Sequence, residues 1–130
     1  MTAEEFRELA LTLDGAVEQA HMGHPDFRAN GRIFASLHSN DTKGMVKLTP
    51  EEQRELLRAN PETFEPSAGA WGRQGCTNVI LKRADAAAVR GALLLAWHAI
   101  RKLKIEKGKE KRNAETKNKA KMRITKARKG

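Results

Sequence analysis

The sequence predicts an α+β fold, an antiparallel β-sheet with helices packed on it, followed by a basic C-terminal tail. Three observations lead there. Apolar residues recur with helical period at both ends of residues 1–104 and with period two in the middle. The elements run αβββαβα, without the βαβαβ alternation that builds a parallel sheet. Residues 105–130 carry many cations and little apolar surface, so they predict a separate, disordered or partly helical segment.

The first helix starts at a capping box. Thr2 and Glu5 can each satisfy the other's free backbone N–H. Phe6, Leu9, Ala10 and Leu13 then share one face, which predicts a helix over residues 3–13 ended by Asp14-Gly15. From Gly23 the period changes. Phe27 and Ala29 alternate with Arg28, and Asn30-Gly31 is the pair a type I′ hairpin requires, because both central residues need positive φ. Ile33, Ala35 and Leu37 alternate with Phe34, Ser36 and His38. Ser39-Asn-Asp-Thr42 makes a second turn and Met45-Val46-Lys47-Leu48 a third strand, giving an antiparallel meander.

Thr49-Pro50-Glu51-Glu52 opens the second helix with a cap, a proline in the first turn and two acids at the positive end of the dipole. Leu56 and Leu57 supply its buried side, and Asn60-Pro61 stops it. Residues 62–76 hold Pro66, Gly69, Gly72 and Gly75 and read as loop, with Phe64 and Trp71 as anchors. Thr77-Asn-Val-Ile-Leu81 is a fourth strand, and Asp85 caps a last helix through Val89, Leu93, Ala96, Ile100 and Leu103. Phe27, Ile33, Val79, Leu93 and Trp97 are the expected core, with Trp71 pinning the glycine-rich loop.

Charge divides the chain more sharply than length does. Residues 1–100 hold 11 Lys/Arg against 13 Asp/Glu, whereas residues 101–130 hold 14 against 3. The overall +9 is therefore a body of −2 and a tail of +11. That asymmetry points to a polyanionic partner. The longest apolar run, Gly91-Ala-Leu-Leu-Leu-Ala-Trp97, falls far short of the roughly 18–20 residues of a membrane span. The N-terminus is acidic and lacks an apolar run, so a secretory signal is not expected and the cytosol is. A single cysteine, Cys76, excludes an internal disulfide.

Three segments, taken in order, resemble the MmcQ/YjbR family. They are Gly23-His-Pro-Asp-Phe-Arg28 running into Ile33-Phe-Ala35, Lys47-Leu-Thr-Pro-Glu51, and Trp71-Gly-Arg-Gln-Gly-Cys-Thr77 followed by Val79-Ile-Leu81. Ala96-Trp97 also fits the family pattern. The resemblance spans residues 1–104. Cys76 stands where many members carry Trp, and the extension after Lys104 lies outside the family's core. The resemblance implies an α+β domain of the "double wing" type, an arrangement linked to DNA by fold analogy, and it implies no catalytic mechanism.

The expected function is therefore non-enzymatic DNA binding. The tail cations Lys107, Lys109, Lys111, Arg112, Lys117, Lys119, Lys121, Arg123, Lys126, Arg128 and Lys129 can neutralise phosphates. The tail has no aromatic residue on which bases could stack, so it suits duplex DNA or structured RNA better than single strands. Arg28, Arg32, Lys43, Lys47 and Arg73 could add contacts from hairpin wings. The alternative is a small-ligand or regulatory domain with a pocket near Phe27, Arg28, Trp71 and Thr77. His21 and His24 form an H-x-x-H spacing near His38 and Cys76, but no second metal-type pair joins them. Asp26, Ser36 and Cys76 are residue types that could serve nucleophilic chemistry, though nothing in their spacing builds it. No metal or cofactor is expected. Gly69-Ala-Trp-Gly-Arg-Gln-Gly75 lacks the G-K-[ST] ending of a phosphate loop.

Overall fold

Thr2 closes its capping box. Its side chain accepts from the Glu5 N–H at 3.0 Å, and Glu5 accepts from the Thr2 N–H at 2.7 Å. Helix α1 (Ala3–Leu11) ends two residues before the expected stop, where the Thr12 hydroxyl donates to the Leu9 carbonyl at 2.6 Å. Such a side-chain bond competes with continuation of the helix. The computed structural model describes residues 1–21, 23–38 and 40–101, with the backbone alone at residue 21. The chain divides into two units, residues 1–100 and 101–130, and the first is the one described. The boundary expected at 104/105, Leu103 and the tail's expected disorder lie outside the described residues.

Six strands follow: β1 (Val17–His21), β2 (His24–Ala29), β3 (Arg32–Leu37), β4 (Lys43–Lys47), β5 (Phe64–Pro66) and β6 (Cys76–Ile80). They form one antiparallel sheet in the order β1-β2-β3-β4-β6-β5. The expected meander is β2-β3-β4, and its hairpin turns at Asn30 (φ 55°) and Gly31 (φ 76°) as a type I′ turn demands. β1 and β5 are additions to the four strands read from sequence. Helix α2 (Pro50–Ala59) has the capping box of Thr49 and Glu52. Helix α3 (Gly69–Arg73) stands where loop was expected. Helix α4 runs from residue 86 through residue 100, and the Asp85 carboxylate caps it by accepting from Ala88 N–H at 2.9 Å.

Helices α1 and α4 cover one face of the sheet. Phe6 and Ala10 of α1, and Val89, Leu93, Ala96 and Ile100 of α4, pack with Phe27, Ala35, Leu37, Val46, Phe64 and Val79. The Phe6 and Phe27 rings lie 6.1 Å apart at 60°, a tilted pairing that adds to their burial. Gly44 makes this packing possible. A Cβ there would lie 2.7 Å from Phe6 Cε1, so α1 can approach β4 only over a bare Cα.

Two core expectations change. The β2–β3 register shifts between Phe27 and Arg28, pairing Phe27 with Ala35 but Arg28 with Ile33. One extra β3 residue, Phe34, is accommodated there, as in a β-bulge. Phe34 joins the core beside Ala35, and Ile33 is half-buried on the opposite face. Trp97 is half-buried rather than fully enclosed, and its Nε1–H donates to the Asp14 carbonyl at 2.8 Å.

Candidate functional site

Strand alternation assigns the second face of the sheet residue by residue. Register pairs link Gln19, Asp26, Ser36, Met45, Asn78 and Glu65 in one row across all six strands. The adjacent row runs Glu18, Phe27, Ala35, Val46 and Thr77. Neighbouring rows point to opposite faces because side chains alternate along each strand. Phe27 and Thr77 are fully buried, and Thr77 donates to the Gly75 carbonyl at 2.8 Å. The pocket expected near Phe27, Arg28, Trp71 and Thr77 therefore splits. Trp71 lines a cavity, Arg28 lies beside it, and Phe27 and Thr77 belong to the core behind it.

The cavity, of about 800 Å³, lies over the first row. Its floor is formed by Asp26, Ser36, Met45 and Asn78, and its sides by Ile33, Lys43, Lys47, Cys76, His24 and His38. Ser67, Ala68 and Trp71 overhang it from the β5–β6 connection. That connection is fixed rather than loose. Gln53 of α2 donates through Nε2 to the Gly72 carbonyl at 3.0 Å and the Cys76 carbonyl at 2.9 Å. Gly72 is so close to Ser67 that a Cβ would lie 1.8 Å from the Ser67 carbonyl oxygen. Trp71 is not the expected anchor. It is 64% exposed, and the loop is held by Gln53 and Gly72 instead.

Asp26 and Asn78 on the floor are already partnered. The Asp26 carboxylate is only 4% exposed and accepts from Arg28 Nε at 2.8 Å and Nη2 at 3.2 Å, a bidentate pair. Glu65 Oε2 accepts from Lys43 Nζ at 2.6 Å and from Asn78 Nδ2 at 3.0 Å, while Asn78 Oδ1 accepts from Ser67 Oγ at 2.8 Å. The Lys43 bond, followed by the Asn78 bond, holds the Glu65 carboxyl below the usual carboxylate range. Burial lowers the pKa of His38, helped by Lys43 and His24, which favours the neutral imidazole. Burial raises the Cys76 thiol despite nearby Lys47, which favours the thiol over the thiolate.

Of the expected wing cations, Arg28 and Lys43 are engaged in these ion pairs, and Lys47 is exposed on the cavity side. Arg32 is half-buried beside the hairpin turn, and Arg73 is exposed at the end of α3. The tail cations from Lys107 to Lys129 lie outside the described residues. His24, His38, Asp26, Ser36 and Cys76 do meet around one cavity. Among the described residues no group of three or more His, Cys, Asp and Glu is arranged to hold a metal, and no helix is long and apolar enough to cross a membrane. Asn78 was not singled out in the sequence. Its one sequence signal is a polar side chain between Thr77 and Val79 in a strand; the pairing with Met45 is given by the structure.

A family model described as YjbR matches residues 11–99. Among solved structures, the fold is similar to the crystal structure of Deinococcus radiodurans protein DR2400, which carries a DUF419 domain. The TM-score is 0.62 at 18% identity, over 74% of this chain and 75% of that one. No curated protein matches the chain.

Proposed function

We infer that this chain, which belongs to the YjbR family, is a non-enzymatic, cytosolic nucleic-acid-binding protein with duplex DNA as its main partner. The observation that carries this reading is the charge split, −2 over residues 1–100 and +11 over residues 101–130. Backbone phosphates are met by cations alone, and release of their counterions supplies the affinity. The body is a secondary contributor. Asp26 and Glu65 neutralise Arg28 and Lys43 locally, which leaves Arg32, Lys47 and Arg73 as the wing cations without an ion pair among the described residues. The protonated Cys76 thiol fits a binding role better than a nucleophilic one.

The test uses the full chain with Lys107, Lys109, Lys111, Arg112, Lys117 and Lys119 replaced by Gln. Fluorescence anisotropy against several unrelated short duplexes should show weaker binding to all of them. Equal affinity of the variant and the parent chain would remove the tail from the account. A loss confined to one duplex sequence would argue for base readout instead.

A further inference from the structure

We propose that the cavity on the open sheet face is a binding site for a small molecule that joins a planar aromatic ring to one anionic group, a carboxylate or a phosphate. The site shares Lys47 with the body cations named above, but it does not involve the basic tail and its test does not depend on nucleic-acid binding. Its volume, about 800 Å³, is within the range of open pockets that receive a small organic ligand. The fixed β5–β6 connection means that the cavity exists before a ligand arrives.

Charge bookkeeping around the cavity selects the anion. The Asp26 carboxylate is matched by Arg28, and the Lys43 ammonium by Glu65. Lys47 also lines the cavity, and among the described residues it has no ion-pair partner. One positive charge is thus left over at the wall, and a single carboxylate or phosphate on the ligand completes the balance. A cationic ligand would meet no free carboxylate, because both nearby acids are taken.

Shape and exposure select the ring. Trp71 overhangs the cavity and is 64% exposed, although a large aromatic side chain gains most by burial. Much of its surface is available to a ligand ring, and Ile33, Met45 and Ala68 add apolar wall. A planar ring between Trp71 and the sheet would cover this surface while its anionic substituent meets Lys47.

The probes are naphthalene-2-carboxylate and adenosine monophosphate, with cyclohexanecarboxylate and 2-naphthylmethanol as controls lacking the planar ring or the charge. Binding to the full chain is followed by amide and indole chemical shifts in two-dimensional NMR. At least one planar anion should shift Trp71, Asn78 and Lys47 together and bind more tightly than either control. A response to one planar anion alone tells a carboxylate site from a phosphate site. Lys47→Met should weaken the planar anion about fivefold, as expected for one partly exposed charge-assisted bond, and leave 2-naphthylmethanol unchanged. Trp71→Ala should weaken both planar molecules about fivefold and leave cyclohexanecarboxylate unchanged. Both side chains are exposed, so neither variant threatens the fold. Shifts confined to residues beyond 101, no response to either planar anion at millimolar concentration, or unchanged affinity in Lys47→Met would each overturn the proposal.

Discussion

Replacing Gln53 with Met isolates what holds the β5–β6 connection over the cavity. The side chain is buried, and its amide donates two hydrogen bonds, to the carbonyls of Gly72 and Cys76. Methionine keeps the length and the apolar stem but donates nothing. The lost bonds are worth about 1 kcal/mol each. The further penalty for stranded acceptors is small here, because each carbonyl has a second donor. The Gly72 carbonyl accepts from Gly75 N–H at 3.1 Å and the Cys76 carbonyl from Ser67 N–H at 3.0 Å. The expected cost is therefore about 2 kcal/mol, which lowers the melting temperature of a domain this size by roughly 10 °C. Urea unfolding gives the free energy, and amide exchange shows where it is lost. The Ser67 and Gly75 amides should exchange faster, while those of β2 and β3 change only with global stability. A loss below about 0.5 kcal/mol with unchanged exchange at Ser67 would refute the reasoning, since it would mean that the amide finds no advantage over water.

Phe27→Ala should cost about 3–5 kcal/mol in urea unfolding, because the ring is fully buried against Phe6; a cost under about 1 kcal/mol would put it on the cavity side. Glu65 adds a pH dependence. Its carboxyl is held low in the folded chain, so its contribution is present at neutral pH and is lost as pH falls through that lowered value. Glu65→Gln should therefore reduce the acid-side slope of stability against pH, and an unchanged slope would count against the Lys43–Glu65–Asn78 arrangement. Residues 1–104 alone should keep a cooperative thermal transition, because the described core lies within residues 1–100. Loss of that transition would mean that residues 105–130 are needed for folding.

The parts of the fold that the sequence made legible are those whose signals are local. Thr2 with Glu5, Thr49 with Glu52, and Asn30-Gly31 each carry their geometry in two or three residues. β1 escaped because Val17-Glu-Gln-Ala-His21 has no apolar alternation. Val17 is 50% exposed, and the strand is defined by its ladder with β2. The glycine-rich α3 has weak intrinsic helix propensity, and it is positioned by Gln53, 16 residues or more upstream of it. The expected pocket differs from the cavity by one step along two strands. Phe27 and Thr77 face the core, while their neighbours Asp26, Cys76 and Asn78 line the cavity. A period-two element turns a one-residue choice into a change of face. The bulge at Phe34 adds a second such inversion by moving Ile33 to the cavity side, and nothing in the residues of β3 alone announces it.

The claim that phosphate neutralisation by the basic segment supplies nucleic-acid affinity is tested most directly by a duplex-DNA titration at several salt concentrations, comparing the full chain with residues 1–104. If about six phosphates are engaged, the plot of log affinity against log salt should have a slope near −5 for the full chain. Removal of residues 105–130 should flatten that slope and weaken binding irrespective of DNA sequence. A full chain that does not bind at low salt would contradict the account, and an unchanged slope after truncation would move the contacts to Arg32, Lys47 and Arg73 on the body.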